Sequence, residues 1–309
     1  MEPDPRHPQV SVILIVRNGE RHIGRQLEAL GRQQDAPAFE VIVVDNGSTD
    51  STAAIVSEWI NALPSSGPSA RLVDASDKPS IPYARNQGAL ASKAPLLAFC
   101  DADDAVEAHW VRAIKDGMVQ VDLVGGSREA YAENGERRPA LDGEGLNQGN
   151  YLPFVPGCNF AVTRQCYFDV GGFDESLPPY GFDDVEFSWR VQLAGRRIES
   201  LPAARVRYTA SGSVDSVRKV FLLSKGRVLV AHRYPPFDPR PYSLGFCTKD
   251  ALRAAARVPG GVLRARGPRA PELREVVSAA GRLWGFVNYE LLKKRAQPLL
   301  LSGDPFGRR

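Results

Sequence analysis

The sequence predicts an α/β fold built on a mostly parallel, Rossmann-like sheet flanked by helices, with a basic helical extension at the C-terminal end. Three observations carry this. Short runs apolar on both faces recur (VSVILIV, FEVIVV, LLAFC), the pattern of strands buried between layers. Segments with helical spacing of apolar residues separate them, as βαβ units require. Each run stops at a polar cluster, and open sheets of this kind bind ligands beyond the carboxyl ends of their strands.

Taken in order, Val10–Val16 is the first strand, ending at Arg17-Asn18-Gly19, and Ile23, Leu27 and Leu30 recur at helical spacing after it. Residues 39–44 form the second strand, ending at Asp45-Asn46. Residues 51–63 are a helix with Ile55, Trp59 and Leu63 on one face, 64–69 a loop, 71–74 a short strand and 82–92 a helix carrying Arg85. Residues 96–100 are a further buried strand that stops at Asp101-Ala102-Asp103-Asp104, with Asp104 placed to cap the helix of Trp110 and Ile114. Residues 8–120 then form one half and 121–210 the other. In the second half, residues 123–126 read as a strand entering a turn, 133–150 as a polar, mobile loop, 156–162 as a strand and 171–175 as a turn. Residues 183–194 read as a helix with Val185, Trp189 and Leu193 on one side. Beyond 210, residues 214–232 read as a basic helix, 258–271 as a Pro/Gly/Arg-rich loop and 283–294 as a final amphipathic helix.

Composition sets limits. At 309 residues, 43% hydrophobic and 24% charged, the chain is globular rather than fibrous, disordered or polytopic. The net charge of +3 conceals a division: residues 211–309 carry 19 Lys+Arg against 7 Asp+Glu, a surplus of +12, so residues 1–210 carry −9. A catalytic domain over 1–210 and a basic extension over 211–309 are expected. The extension reads as a solvated helical face or as an attraction to an anionic membrane surface or lipid-phosphate acceptor. Nucleic acid is not an expected partner, because the acidic body repels a phosphate backbone. Cys100, Cys158, Cys166 and Cys247 lack CxxC spacing and read as buried free thiols. With no apolar leader and no apolar run of ~18 residues, a cytoplasmic location is expected, peripheral to the membrane at most.

Two carboxylate clusters can carry chemistry. Asp101 and Asp103 at a strand end offer hard oxygen ligands suited to Mg²⁺ or Mn²⁺ beside a substrate diphosphate; alone, such a run also fits a turn or a cap. Asp183-Asp184 opens a predicted helix, where capping competes with a general-base role. Arg17-Asn18 reads as a turn or a nucleotide contact. Gly157 and Asn159 read as a tight turn or as groups leaving room for a sugar. Trp189 reads as core or as an acceptor platform, and His232 as a surface residue.

The ordered series VSVILIVRN, VIVVDNGSTDST, ARNQGALAS, LLAFCDADD, PGCNFAVTR, VGGFDE and GFDDVEFSWR resembles the family 2 glycosyltransferases of GT-A fold over about residues 8–235. The resemblance implies inverting transfer of a hexosyl or deoxyhexosyl group from a UDP-, TDP- or GDP-linked donor to an acceptor hydroxyl. The acceptor would be a glycan, a lipid-linked group or a small molecule. It implies that Asp45, Asn46, Arg85 and Asp101 lie against the nucleotide, that Asp103 (with Asp101) holds the metal, that Asp184 is the base, and that Asp183 belongs to the acceptor side. Asn46 stands where the family often has a carboxylate. Arg207 and Tyr208 stand where many relatives have a histidine near the phosphate. The QxxRW-type motif of processive synthases is missing, so single transfer is expected. The competing expectation is a non-catalytic sugar-nucleotide or carbohydrate binding module on the same fold. A pyrophosphorylase is disfavoured, since RNGERHIG after the first strand is not a glycine-rich phosphate loop.

Overall fold

The computed structural model describes residues 7–210, 217–262, 271–294 and 297–303. The sheet is assembled from β1 (Val10–Val16), β2 (Phe39–Asp45), β3 (Ser69–Asp74), β4 (Leu96–Asp101), β5 (Ala105–Val106), β6 (Leu123–Ala132), β7 (Asn159–Thr163) and β8 (Ile198–Ala210), in the order β3-β2-β1-β4-β7-β6-β8-β5. The first half is parallel throughout: β1 lies between β2 and β4, and β2 pairs with β3. Direction reverses at β7, which is antiparallel to both β4 and β6. β6 and β8 are parallel, and β5 caps β8 antiparallel. Fold class and the strand–helix rhythm are as the sequence predicts.

Alternation along each strand feeds two cores. Val12, Leu14, Val41 and Val43 face α1 (Ile23–Gly31), α2 (Thr52–Ala62) and α4 (Trp110–Gly117). Ile13, Ile42, Phe99 and Phe160 face α3 (Ile81–Ala91), α5 (Arg164–Asp169) and α6 (Asp183–Leu193). On the second face Phe99 and Phe160 stack with centroids 4.6 Å apart, as do Phe173 and Phe187, adding orientation to simple area burial.

The structure differs from expectation in several elements. β6 does not turn at Gly125-Gly126 but runs on to Ala132. There the absent side chains admit neighbours: a Cβ on Gly126 would meet Ala204 O and Asn159 Nδ2 at 2.3 Å. β8 was not anticipated, because Pro202 interrupts its pattern. The β6–β8 register shifts between Gly126 and Ser127, opposite that segment, and the Ser127 hydroxyl donates to Pro202 O at 2.7 Å, a local break of the kind proline imposes on a ladder. The segment expected as a mobile loop is tied to β6: Arg128 bridges Gly143, Tyr131 bridges Arg137, and Pro139–Leu141 forms a 3-10 turn. α5, also unanticipated, is capped by the Thr163 hydroxyl accepting from Cys166 N–H at 3.2 Å.

The chain divides into two compact units. One is Met1–Asp174, Asp184–Ser211 and Leu300–Arg309; the other is Glu175–Asp183 with Gly212–Leu299. A single cut at 210/211 does not capture this. Glu175–Asp183 groups with the C-terminal helices, where Arg233 donates to Ser176 Oγ at 2.7 Å and Phe182 meets Phe237 edge-on at 5.7 Å. The second unit holds α7 (Val217–Arg233), α8 (Leu244–Val262), α9 (Pro271–Gly285) and a π-helical turn, Phe286–Leu291. Two expectations change here. Residues 258–262 continue α8 from the alanine-rich stretch before them, and 263–270 lie outside the described residues, as do 214–216. The final helix begins at Pro271, whose fixed φ suits a first turn, and gives way to the π-turn where a helix to 294 is expected. His232 Nδ1 lies 2.8 Å from Glu290 Oε1. All four cysteines are buried and free, and no helix among the described residues is long and apolar enough to cross a membrane.

Candidate active site

The loops after β1 and β2 are laced together. Asn18 adopts φ 53°; its Oδ1 accepts from Thr49 N–H at 2.8 Å and its N–H donates to Ser48 Oγ at 2.9 Å. Gly19 N–H donates to Thr52 Oγ1 at 2.8 Å, and a Cβ there would meet Val16 Cγ2 at 2.5 Å, so only glycine fits the bend. Asp45 Oδ1 accepts from Ser48 N–H at 2.8 Å. Asn46 is buried; its Nδ2 donates to Ala75 O at 2.7 Å and Lys78 O at 2.9 Å, and its Oδ1 accepts from Ser80 N–H at 2.9 Å. A carboxylate could make the third bond but not the two donations. The amide in place of the acid therefore has a structural reason, the anchoring of the loop between β3 and α3. Arg17, Asn18, Asn46, Asp101 and Asp103 line one cavity of about 300 Å³, floored by Ile81 and Ala84.

At the end of β4, carboxylate oxygens of Asp101, Asp103 and Asp104 lie within 4.8 Å of one another. Asp104 does not cap α4, which begins at Trp110 behind His109. It is fully buried instead: Oδ1 accepts from Thr209 N–H at 2.8 Å, while Oδ2 has no hydrogen-bond partner among the described residues. Burial, reinforced by the charges of Asp101 and Asp103, pushes its carboxyl well above the usual carboxylate range. A buried orphan oxygen beside two more carboxylates is a donor set that fits a hard divalent cation.

Two residues of α1, not singled out by the sequence, hold this acidic turn by its backbone. Arg25 Nη2 donates to Asp103 O and to Thr209 Oγ1, each at 2.6 Å. Gln26, fully buried, donates to Asp101 O at 3.1 Å and accepts from Val106 N–H at 2.9 Å. A signal was present: Gln26 lies on the apolar stripe of Ile23, Leu27 and Leu30, where an amide must find buried partners. On β8, the Arg207 guanidinium lies 4.3 Å from the Tyr131 ring centroid. Tyr208 is pushed up to about 12, mainly by burial and then by the nearby Cys158 and Asp104.

Arg85 and Gly157 connect the acidic turn to α6. Arg85 is buried on α3 beneath Phe173 and Phe160, 5.0 and 5.6 Å from their centroids. Its Nη2 lies 3.9 Å from Asp101 Oδ1 and donates to Gly157 O at 2.7 Å. Gly157 N–H in turn donates to Asp184 Oδ2 at 3.0 Å, and Val185 N–H to Asp184 Oδ1 at 2.9 Å. Asp184 is half-buried, whereas Asp183, the first residue of α6, is buried.

Asn159 and Trp189 are not brought to this surface, which corrects their assignment to the acceptor side. Asn159 is fully buried, donating to Ser127 O and Ala204 O and accepting from Trp110 Nε1–H, each at 2.8 Å. Trp189 is fully buried, donates to Leu152 O at 2.9 Å and meets Tyr151 edge-on. Both tie strands and loops together behind the site.

Known proteins resemble this chain in sequence and in fold. The model of glycosyl transferase family 2 matches residues 11–173, and that described as the N-terminal domain of galactosyltransferase matches residues 150–211. Glycosyltransferase AglE of Haloferax volcanii is 29% identical over 72% of this chain and 74% of its own length. Validoxylamine A glucosyltransferase of Streptomyces hygroscopicus subsp. limoneus is 27% identical over 61% of this chain, which spans only about half (49%) of that relative. Among solved structures, the mannosyltransferase PcManGT from Pyrobaculum calidifontis, in complex with GDP-Man and Mn²⁺, superposes with a TM-score of 0.59 over 94% of this chain and 90% of that one. At 20% identity it supports the GT-A fold. The 11–173 match covers more than half of the 309 residues and runs from β1 through the acidic turn to the glycines before α6, and it makes this chain a member of glycosyl transferase family 2.

Proposed function

We infer that the chain transfers one sugar at a time from a nucleoside-diphosphate donor to an acceptor hydroxyl, with inversion at the anomeric carbon. The observation that carries this reading is the continuous link from the acidic turn to a half-buried carboxylate: Asp101, Arg85, Gly157 and Asp184 joined at 3.9, 2.7 and 3.0 Å. It supports reading Asp184 as the base and the acidic turn as the diphosphate side of one site, as a single displacement needs. The nucleotide is assigned to the cavity lined by Arg17, Asn18, Asn46 and Asp101, with Asp45, the last residue of β2, kept among its contacts. Asp183, which precedes the base on α6, is kept on the acceptor side.

Asp184 accepts the acceptor's hydroxyl proton as that oxygen bonds to the anomeric carbon. The carbon–oxygen bond to the diphosphate breaks on the opposite face, and its electron pair leaves with the nucleotide. Gly157 N–H and Val185 N–H fix the carboxylate's aim. Mn²⁺ or Mg²⁺ held by Asp103 and Asp101, with Asp104 behind them, would neutralise charge on the departing diphosphate. The complex of PcManGT with GDP-Man and Mn²⁺ supports GDP and Mn²⁺ as the first pair to test. The +12 of residues 211–309 supports peripheral contact with an anionic membrane. Six of its arginines (264, 266, 269, 295, 308 and 309) lie outside the described residues.

A thermal-shift screen of GDP, UDP and TDP, each with and without Mn²⁺, identifies the nucleotide. Asp103→Ala should abolish the metal-dependent part of the shift, and Asp184→Asn should leave it while lowering transfer by orders of magnitude. Undiminished transfer by Asp184→Asn rules out the assigned base. Nucleotide binding with no turnover on any donor would favour a binding module.

A further inference from the structure

Helix α9 packs in an inverted sense. The side it turns toward α7 is made of small residues: Ala279, Gly281 and Gly285 are buried, and a Cβ on Gly281 or Gly285 would lie 2.6 Å from Phe221 O or 2.9 Å from Lys225 O. The polar groups of α9 also pair within this unit, with Ser278 Oγ 2.7 Å from Ser224 Oγ and Arg282 Nε donating to Asp250 at 2.8 Å. Of the larger apolar residues, Leu273 and Trp284 are exposed, while Val276, Val277 and Leu283 are half-buried. Leu273, Val277, Ala280 and Trp284 follow one another at intervals of four, three and four, so they share one face of the helix. Leu273 and Trp284 are 41% and 52% exposed. At the C-terminal end of the same segment Leu291 and Leu292 are exposed, followed by the exposed Lys293 and Lys294.

We propose that the Leu273–Val277–Ala280–Trp284 face of α9 seats in the interfacial layer of an anionic lipid bilayer, with Lys293 and Lys294 on the lipid headgroups. This rests on the reading of residues 211–309 as membrane-facing and names the surface that does it. An exposed tryptophan on an apolar stripe, with lysines further along the same segment, is a residue set that suits a membrane boundary. Charge selects the occupant. A second copy would bring two regions of +12 together, whereas phosphatidylglycerol or a similar lipid offers the opposite sign. The −9 of residues 1–210 is repelled by the same surface, which favours contact through the helices alone.

The test is co-sedimentation of the full chain with vesicles of phosphatidylcholine, alone or mixed with an equal part of phosphatidylglycerol. The intact protein should bind only the anionic vesicles, less at high salt, with a blue shift of tryptophan emission. Trp284→Phe should bind normally and lose that shift. Leu273→Asp/Trp284→Asp should weaken partition about tenfold or more with nucleotide-induced thermal shifts unchanged, while Leu252→Asp, an exposed site on α8, should bind as the parent does. Quenching of Trp284 by brominated lipid in the unmutated protein gives the same answer without relying on a folded variant. If the stripe variant binds normally and Lys293→Glu/Lys294→Glu does not, the stripe is refuted and the basic region still faces the membrane. If the intact protein ignores anionic vesicles, both fall. Self-association abolished by the stripe variant, with no vesicle binding, would assign the face to a second copy and overturn the proposal.

Discussion

Gly157→Ala is the sharpest probe of the link between the acidic turn and Asp184. The added Cβ would lie 3.0 Å from Asp184 Oδ2, 3.2 Å from Arg85 Nη2 and 3.4 Å from Asp184 Cβ. The carboxylate must therefore retreat by about 0.4 Å and the guanidinium by about half as much to reach ordinary contact. That carries the Gly157 N–H···Oδ2 bond, now 3.0 Å, past the ~3.2 Å limit of a good hydrogen bond. A bond to a charged group contributes ~1.5–3 kcal/mol; losing about half of it costs ~0.75–1.5 kcal/mol, or ~4–12-fold in turnover. Gly157 is not among the positive-φ glycines, so the backbone accepts alanine and the melting temperature should fall by no more than about 2–4 °C. Steady-state transfer with the donor identified by thermal shift, run beside a melting curve, separates the two effects. Parent-like turnover in a folded Gly157→Ala protein would refute the claim that this glycine keeps Arg85 and Asp184 in register.

Gln26→Leu leaves Asp101 O and Val106 N–H without their buried partner. The Mn²⁺ concentration needed for half-maximal thermal shift should rise about fivefold, and an unchanged titration would show that the acidic turn holds itself. Gly24→Ala, on the exposed side of α1 with nothing within 4 Å of the new methyl, should raise stability by ~0.5–1 kcal/mol with activity intact; denaturant unfolding measures it. Asp238 bears on the helical unit. Burial alone would raise its carboxyl, but hydrogen bonds from Arg240, Tyr242 and Arg227 outweigh this and hold it well below the usual carboxylate range. Its contribution is thus present above the unfolded-state value near 4 and lost as pH falls through the lower folded value. Asp238→Asn should lower the melting temperature at neutral pH, and the gap from the parent should close as pH drops below about 4; a gap independent of pH would refute the charge as the cause.

How much of this was legible in the sequence depends on the distance over which each signal acts. β1, β2 and β4 were readable because burial on both faces leaves a continuous apolar run in one segment, and the polar clusters ending them named the acidic turn and the Arg17-Asn18 bend in the same stroke. β8 was not readable: Pro202 and the register shift beside it break its alternation, and its pairing to β6 is set by a strand some 75 residues earlier. Asp104 illustrates a different failure. An acid three residues after a strand and ahead of a helix looks like a cap, yet the helix starts only at Trp110 and the acid's partner is Thr209, on β8.

The long-range ties nonetheless left a trace. Arg25 reaches Thr209 across 184 positions, Arg85 reaches Gly157 across 72 and Asn159 reaches Ala204 across 45, and no periodicity within a segment encodes such partners. What a segment does encode is the anomaly of a polar residue on a face that its apolar neighbours mark as buried. Gln26 among Ile23, Leu27 and Leu30 is one case; Asn159 in the strand NFAVT is another. A buried amide or guanidinium without partners costs about 1–3 kcal/mol, so its presence implies a tertiary partner even when the sequence cannot name it. Applied to Asn159 and Trp189, the same reasoning moves both from the acceptor surface to the frame behind it, whereas Asp184, the carboxylate proposed as the base, stays half-buried and accepts from two backbone N–H groups.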